Sequence, residues 1–423
     1  MGLAIRATCF LAIILVAFDA RAAEICNNGM DDDADGLVDD QCYPSLTTSR
    51  CENPLSCQET GQVSPSTGSL RYELPPDVAP GVPFGPAIAF KRYFQSQRAP
   101  GLLAPAYRKA LGERWGHSYA SWLDKNTAPS PDQIVLHLPR GQEAMFKYTS
   151  TAGGFDYYNS FQPGFHFIHL RQRTTSPNEY QLKTLTGETL VYDGAGKLIE
   201  IWDTLATPNK ATLAYDGNGM LSTVTDSSGK RRLLFSYQAV TNLITSVVFQ
   251  INTGTWISQH TTSFGYTATL LTTITIGGQL AQTNNYDLNG NLTSVVDGES
   301  KTLVSFAYDA ATTGKVVRVD TPRGVVGYEF NSSRSECSGK TVLYFHRANT
   351  VSCDTDAGCG TGNLCGGKTG LGSTGQCFRG ARCLTVSSPS EDVITTVAAF
   401  AGSSEPCDGA CLDAIDHVWG AAG

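Results

Sequence analysis

Apolar and polar residues alternate along the middle of the chain, in short stretches that are separated by turn-forming phrases. Leu233 to Tyr237 and Leu303 to Tyr308 both have the two-residue period of a strand with one buried face. Phrases of the type Asp-x-x-Gly follow several such stretches. They favour turns, because aspartate bonds its own turn backbone and glycine accepts a positive φ. The pattern predicts a mainly β, antiparallel fold over about residues 62 to 330.

One phrase, Tyr-Asp-x-x-Gly-x-Leu, recurs through this region. The clearest copies begin at Tyr192, Tyr215 and Tyr286, and looser copies begin at Tyr237, Tyr266, Tyr308 and Tyr328. Eleven residues after three of these tyrosines comes a further aspartate, at Asp203, Asp226 and Asp297. A repeat of this kind indicates stacked supersecondary units. Each unit is predicted to be a β-hairpin step in a solenoid-like sheet, and neighbours must stack to bury both faces.

The repeated phrase resembles the YD repeats of RHS proteins. The preceding segment adds to this resemblance, because Phe90 to Tyr93, Trp115 to Tyr119 and Arg140 to Phe146 are similar to the domain that opens many RHS proteins. The resemblance covers roughly Gln62 to Phe330. It implies a β-rich strip that can coil into a large shell, in surface or secreted proteins that often enclose a C-terminal toxin. The repeats here are few, and the core motif of the family is not found.

The N-terminal residues have the features of a secretory signal peptide, predicted to span residues 1–22. Arg6 supplies a positive charge, and Ala7 to Phe18 is an apolar run that is too short to span a bilayer. Ala20 and Ala22 then offer a cleavage site with small residues. The alternative is a short membrane anchor. The prediction is a secreted or cell-surface protein without a membrane span.

Thirteen cysteines are present, and twelve of them form two clusters beyond the predicted signal peptide. Four lie between Cys26 and Cys57, and eight lie between Cys337 and Cys411, with none in between. Even numbers in an exported chain predict disulfides, although the pairing cannot be deduced. Zinc is the weaker alternative, because most spacings in the second cluster exceed the two to four intervening residues of zinc sites.

These features divide the chain into six predicted segments. After the signal peptide come a cysteine-stapled acidic module (23–60), the RHS-opening β domain (61–150), the YD-repeat β region (151–335), a small cysteine-rich module (336–386) and a tail with a short helix (387–423).

An acidic loop near the N-terminus carries the candidate metal site. Its side-chain oxygens come from Asp31, Asp33, Asp35 and Asp39, its backbone carbonyl comes from Leu37, and its sequence fits the D-x-D-x-D-G start of a calcium loop. The loop resembles those of thrombospondin type 3 repeats and acidic motifs on myxobacterial surface proteins. Since the bidentate glutamate of an EF-hand is missing, weak Ca²⁺ binding is predicted. The alternative is a solvated acidic linker.

The remaining patterns exclude several function classes. A net charge of -8 and a pI of about 5.4 argue against a nucleic-acid partner, which requires clustered Lys and Arg. The segment from Gly362 to Thr369 matches the consensus sequence of a P-loop. Its polar, cysteine-rich surroundings predict a disulfide-bonded loop instead. The hydrolase motifs G-x-S-x-G and H-E-x-x-H are absent from the sequence. We therefore predict neither catalytic residues nor an organic cofactor.

Three functions remain as hypotheses. The first is an exported, RHS-like β scaffold for contact, adhesion or toxin presentation, with a cell-surface protein or polysaccharide as its partner. The second is a carbohydrate-active enzyme or sugar-binding module that uses the repeat aspartates or tyrosines. The third is the N-terminal carrier fragment of a polymorphic toxin. The repeat aspartates recur in turns at a regular spacing, which favours a structural role and the first hypothesis.

Overall fold

The structure is a computed structural model, and it describes much of the chain between residues 62 and 399. The described ranges are 62–64, 67–80, 85–96, 110–125, 133–139, 143–160, 165, 168–184, 186–310, 314–322, 324–333, 337–338, 341–359, 364–368, 375–388 and 393–399. The predicted signal peptide, the predicted calcium loop and the predicted short helix of the tail lie outside these residues. The described part is mainly β and antiparallel, as the alternation of polar and apolar residues predicts.

A small antiparallel sheet comes first. Its strands are β1 (Gln62–Val63), β2 (Leu70–Glu73), β3 (Arg92–Gln95) and β4 (Trp115–His117), and they lie in sequence order. Below, the opening module means these four strands together with the chain that continues to Lys125. This sheet packs against the repeats: Phe90 contacts Phe235 and Phe264, with ring centroids 5.7 and 5.8 Å apart. The two sheets therefore share one hydrophobic core.

All the remaining strands belong to a second, large sheet. Before the repeats it contains β5 (Trp122–Asp124), β6 (Gln133–His137), β7 (Glu143–Ala152), β8 (Phe155–Asn159), β9 (His169–Arg173) and β10 (Tyr180–Lys183). The repeats supply β11 (Thr189–Tyr192), β12 (Leu198–Trp202), β13 (Lys210–Tyr215), β14 (Leu221–Thr225), β15 (Arg231–Tyr237), β16 (Ile244–Asn252), β17 (Trp256–Thr267), β18 (Leu270–Ile276), β19 (Gln279–Tyr286), β20 (Leu292–Asp297), β21 (Thr302–Tyr308), β22 (Val316–Thr321) and β23 (Gly324–Glu329). The C-terminal strands are β24 (Thr341–Cys353), β25 (Leu364–Gly366), β26 (Gly375–Ser388) and β27 (Val393–Ala399).

Strands from β5 to β24 each pair antiparallel with the next strand in sequence, so the repeats form a continuous meander. Near the C-terminus the order changes, because β26 pairs with β24, β25 and β27. The segment 61–150, predicted as one β domain, contributes strands to both sheets. No described helix is long and apolar enough to cross a membrane.

Three disulfides are present among the described cysteines of the C-terminal module. They join Cys337 to Cys383, Cys353 to Cys365 and Cys359 to Cys377. The prediction that the eight cysteines between Cys337 and Cys411 form disulfides is therefore confirmed for six of them. The other two, Cys407 and Cys411, lie outside the described residues.

Candidate functional site: the tyrosine turn row

The repeated Tyr-Asp phrases lie at turns along one edge of the meander, where the strands reverse direction. A turn follows each of Tyr192, Tyr215, Tyr237, Tyr266, Tyr286 and Tyr308, and we call these six turns the tyrosine turn row. Since the six tyrosines end β11, β13, β15, β17, β19 and β21, or lie next to the end, every second strand delivers one of them. Strand direction alternates in a meander, so all six turns lie along the same edge.

Aspartate closes the turn in the clearest repeats. In the first of them, Oδ1 of Asp193 accepts hydrogen bonds from the backbone N–H groups of Ala195 and Lys197, each at 2.9 Å. Asp216 and Asp287 make the same pair of bonds with the residues two and four positions later. Each carboxylate therefore satisfies the backbone of its own turn.

Tyrosine links each repeat to the one before it. Its hydroxyl donates a hydrogen bond to a backbone carbonyl of the preceding repeat. The acceptor is the first or second residue of the strand that follows the preceding turn. The bonds run from Tyr215 to Leu198 (2.6 Å), Tyr237 to Leu221 (2.7 Å), Tyr266 to Ile244 (2.8 Å), Tyr286 to Leu271 (2.6 Å) and Tyr308 to Leu292 (2.9 Å). Burial raises the pKa of Tyr237, Tyr266, Tyr286 and Tyr308 well above its usual value, so each hydroxyl stays a donor.

A change of register accompanies each repeat tyrosine. The pairing of β13 with β14 shifts between Ala214 and Tyr215, and equivalent shifts occur at the other five positions of the row. A β-bulge re-aims the side chain that follows it. At each position the shift coincides with a ring that lies in or against the core, and in the five repeats after the first the hydroxyl reaches a backbone carbonyl.

The second set of repeat aspartates lies at the opposite edge. Oδ1 of Asp226 accepts the backbone N–H groups of Lys230 and Arg231, and Oδ1 of Asp297 accepts those of Glu299 and Lys301. At Asp203, a hydrogen bond from the Asn209 side chain, followed by backbone bonds, lowers the carboxyl pKa. These carboxylates also close turns.

The opening module contacts most of the tyrosine turn row through its own backbone and side chains. Leu123 N–H donates to Gly196 O (2.9 Å), Ile244 N–H to Ala110 O (2.6 Å), Glu113 N–H to Thr269 O (3.0 Å), Trp115 Nε1 to the Tyr286 hydroxyl (2.9 Å) and Val316 N–H to Gly68 O (2.8 Å). Five of the six turns are thereby bound by one module. Tyr192 has no preceding repeat, and Ser121 of the opening module forms the hydrogen bond with its hydroxyl instead, at 2.8 Å.

A buried ion pair lies between the opening module and the repeats. Arg92 binds Asp77 through two hydrogen bonds of 2.5 and 2.7 Å, and its Nη2 also donates to Gln282 of β19 at 3.1 Å. The side chains of Arg92 and Asp77 are 2% and 4% exposed. Removing one partner of such a pair leaves an uncompensated buried charge. The bond from Arg92 to Gln282 connects this buried pair to the large sheet.

Sequence reasoning located the repeat phrases but did not predict their contacts with the opening module. A signal was present in Gly196, whose φ of +87° and missing side chain allow the Leu123 carbonyl to approach. A Cβ at this glycine would lie 2.1 Å from that oxygen. The predicted calcium ligands Asp31, Asp33, Asp35, Leu37 and Asp39 lie outside the described residues, so the calcium site stays a prediction.

Comparison with protein-family models agrees with the repeat pattern at one place in the chain. Residues 286–326 match the family model of the RHS repeat. No curated protein sequence matches the chain. Among solved structures, TcdB2–TccC3–Cdc42 aligns at 12% identity with a TM-score of 0.30, and the Photorhabdus luminescens Tc holotoxin pore at 11% with 0.27. Both alignments cover 66% of this chain and 15% of the solved chain, so this chain spans less than one sixth of their length.

Proposed function

We propose that this chain, which carries an RHS repeat at residues 286–326, is an exported, non-enzymatic RHS/YD-repeat β scaffold that acts at the cell surface in contact, adhesion or toxin presentation. The observation that carries the proposal is the use of the repeat side chains. The tyrosine hydroxyls bind neighbouring repeats, and the carboxylates of the repeat aspartates bind turn backbone. Side chains that are hydrogen-bonded to the backbone in this way build a rigid surface rather than a reaction centre.

The same observation favours a scaffold over a carbohydrate-active enzyme. A glycosidase requires two carboxyl groups about 5–10 Å apart in one cleft, and one of them must be able to give up a proton. The two rows of aspartates lie at opposite ends of the strands, and their Oδ1 atoms accept backbone N–H groups. These carboxylates are therefore bound to the backbone of their own turns, which favours a structural role for them.

Export is supported by the cysteines and by the first residues of the chain. The three described disulfides are of the kind that persists in an oxidising compartment. The apolar run from Ala7 to Phe18, with Arg6 before it, has the composition of a signal peptide.

Cell fractionation tests the proposal. We expect the tagged full chain to reach the medium or the outer surface of its native cells, where added protease removes it. Ile14→Asp, which interrupts the apolar run, is expected to retain the chain inside, and Asp19→Asn serves as the control that leaves the run intact. Retention of the unaltered chain in the cytoplasm, or hydrolysis of a polysaccharide by the purified chain, would overturn the proposal.

The acidic loop is proposed to add a calcium-stiffened N-terminal segment to this scaffold. Three aspartates at alternate positions repel one another unless a cation lies between them. A disulfide between Cys26 and Cys42, which bracket the loop, would hold its ends together and reduce the ordering cost of binding.

A further inference from the structure

Four cysteines of the C-terminal module form a small buried cluster of their own. Cys353, Cys359, Cys365 and Cys377 are 3%, 5%, 2% and 0% exposed. Among the described residues they make up one complete hydrophobic cluster, without any other apolar side chain. The described part of this cluster is therefore held by sulfur rather than by an aliphatic or aromatic core.

The sulfur atoms lie close together although the cysteines are spread along the sequence. Sγ atoms of Cys353, Cys359 and Cys365 all lie within 4.8 Å of one another, and Cys377 is bonded to Cys359. One cysteine each comes from the end of β24, a 3-10 helix (Asp356–Cys359), β25 and β26. Asp356 ties two of these elements together, because its Oδ1 accepts the Cys365 N–H at 2.7 Å.

We propose that, when its two disulfides are reduced, this cluster binds one zinc ion through four thiolates. A tetrahedral zinc site has Zn–S distances of about 2.3 Å, which places its sulfurs about 3.8 Å apart. Three of the four sulfurs already lie within 4.8 Å of one another and the fourth is bonded to one of them, so a modest rearrangement reaches this geometry once the disulfides are reduced. The long spacings between the cysteines argue against a zinc site when only the sequence is considered. In the fold the four residues lie close together, so their spacing along the chain does not prevent them from sharing one ion.

The two states interconvert by a balanced exchange. A dithiol reductant gives two electrons and two protons to each disulfide and becomes a disulfide itself. The four thiols then lose four protons as they bind Zn²⁺, because the thiolate is the ligand. In the reverse direction a small-molecule disulfide accepts two electrons for each bond that forms and is reduced to its thiols, so both protein disulfides reform and the ion is released. The cluster thus keeps a covalent or metal crosslink in either redox state.

The third disulfide supplies an internal control. Cys337 and Cys383 belong to a different cluster, which contains Val325, Val342, Tyr344 and Phe378. Two thiolates among apolar side chains do not complete a tetrahedral sulfur site. Reduction of this pair is not expected to create a zinc site.

Thiol footprinting of the full chain tests the proposal. The chain is reduced with a phosphine, incubated with or without Zn²⁺, alkylated and read by mass spectrometry. We expect Zn²⁺ to protect the four clustered cysteines and to leave Cys337 and Cys383 reactive. Equal alkylation of the four with and without Zn²⁺ would overturn the proposal.

Metal stoichiometry provides the second measurement. Loading the reduced chain with Co²⁺ should give the absorption bands of a tetrahedral thiolate site. The double variant Cys359→Ser with Cys377→Ser should bind one equivalent less than the unaltered chain, whereas Cys337→Ser with Cys383→Ser should bind the same amount. If the first variant loses no equivalent, the metal is held elsewhere and the proposal fails.

Discussion

At the residue scale, the repeat phrase is a set of backbone-binding groups. Aspartate accepts N–H groups within its own turn, and tyrosine donates to a carbonyl of the preceding repeat. Aspartate's role could be predicted from the sequence, because its partners are two and four residues away. The acceptor of the Tyr237 hydroxyl could not, since Leu221 lies 16 residues away and only the strand register brings it near.

Tyr237→Phe tests the hydroxyl link. The change keeps the ring and removes the bond to the Leu221 carbonyl, so we expect a loss of about 1 kcal/mol in the free energy of unfolding. Urea unfolding of the full chain measures it. The control is Tyr148→Phe, whose hydroxyl lies at the exposed surface and whose removal should change stability by less than about 0.5 kcal/mol. Equal effects of the two changes would contradict the link.

Calcium binding by the acidic loop is a second prediction at this scale. Because the glutamate at position 12 of an EF-hand is replaced by Cys42, we expect a Kd of roughly 10⁻⁴–10⁻³ M. Isothermal calorimetry on the full, oxidised chain measures it, and Asp33→Ala should abolish the heat. An unaltered titration in the variant would mean that the segment is an acidic linker.

At the element scale, the strands and turns could be predicted from the sequence. The docking of the opening module against the tyrosine turn row could not. Alternating residues and Asp-x-x-Gly phrases specify hairpins locally, so Leu303 to Tyr308 falls within β21 as predicted. Contacts between the opening module and the tyrosine turn row join residues far apart in sequence, such as Trp115 and Tyr286. Their partners depend on how the meander curves, which local patterns do not encode. The same holds for the cysteines, whose clustering depends on four separate elements.

Gly196→Ala tests this docking. Gly196 and Gly229 both have a left-handed backbone, with φ of +87° and +67°, so alanine costs about 1–2 kcal/mol at either position. Only at Gly196 would the new Cβ meet another segment, 2.1 Å from the Leu123 carbonyl oxygen, whereas nothing lies within 4 Å at Gly229. We expect Gly196→Ala to destabilise the chain by about 1–3 kcal/mol more than Gly229→Ala. Thermal and urea unfolding measure the difference, and equal losses would count against the docking.

At the scale of the whole molecule, the buried tyrosines predict unfolding at alkaline pH. Burial holds the pKa of Tyr237, Tyr266 and Tyr308 above the value of about 10 that tyrosine has in an unfolded chain. Their contribution to stability is complete below pH 10 and is lost as the pH rises towards the folded-state values, because the unfolded chain releases protons first. Tyrosinate absorbance and far-UV circular dichroism should therefore change together. Ionisation of these tyrosines near pH 10, with the sheet intact, would contradict the prediction.

The whole described body is also expected to unfold as one unit, because the opening module and the repeats share a core and a row of hydrogen bonds. If the repeats alone formed the rigid part of the scaffold, the opening module would not be hydrogen-bonded to the turns between them. This cooperation between the opening module and the repeats is the central structural claim, and the scaffold function rests on it.

Native-state amide hydrogen exchange of the full, oxidised chain tests that claim most directly. Glu113 and Leu123 donate their N–H groups to the tyrosine turn row, and Val316 donates in the reverse direction. If the opening module and the repeats form one unit, these amides exchange only by the same opening that exposes the central repeat strands, and their protection matches that of β13 to β16. Rapid exchange at Glu113 and Leu123, while those strands stay protected, would show that the opening module moves independently and would contradict the account.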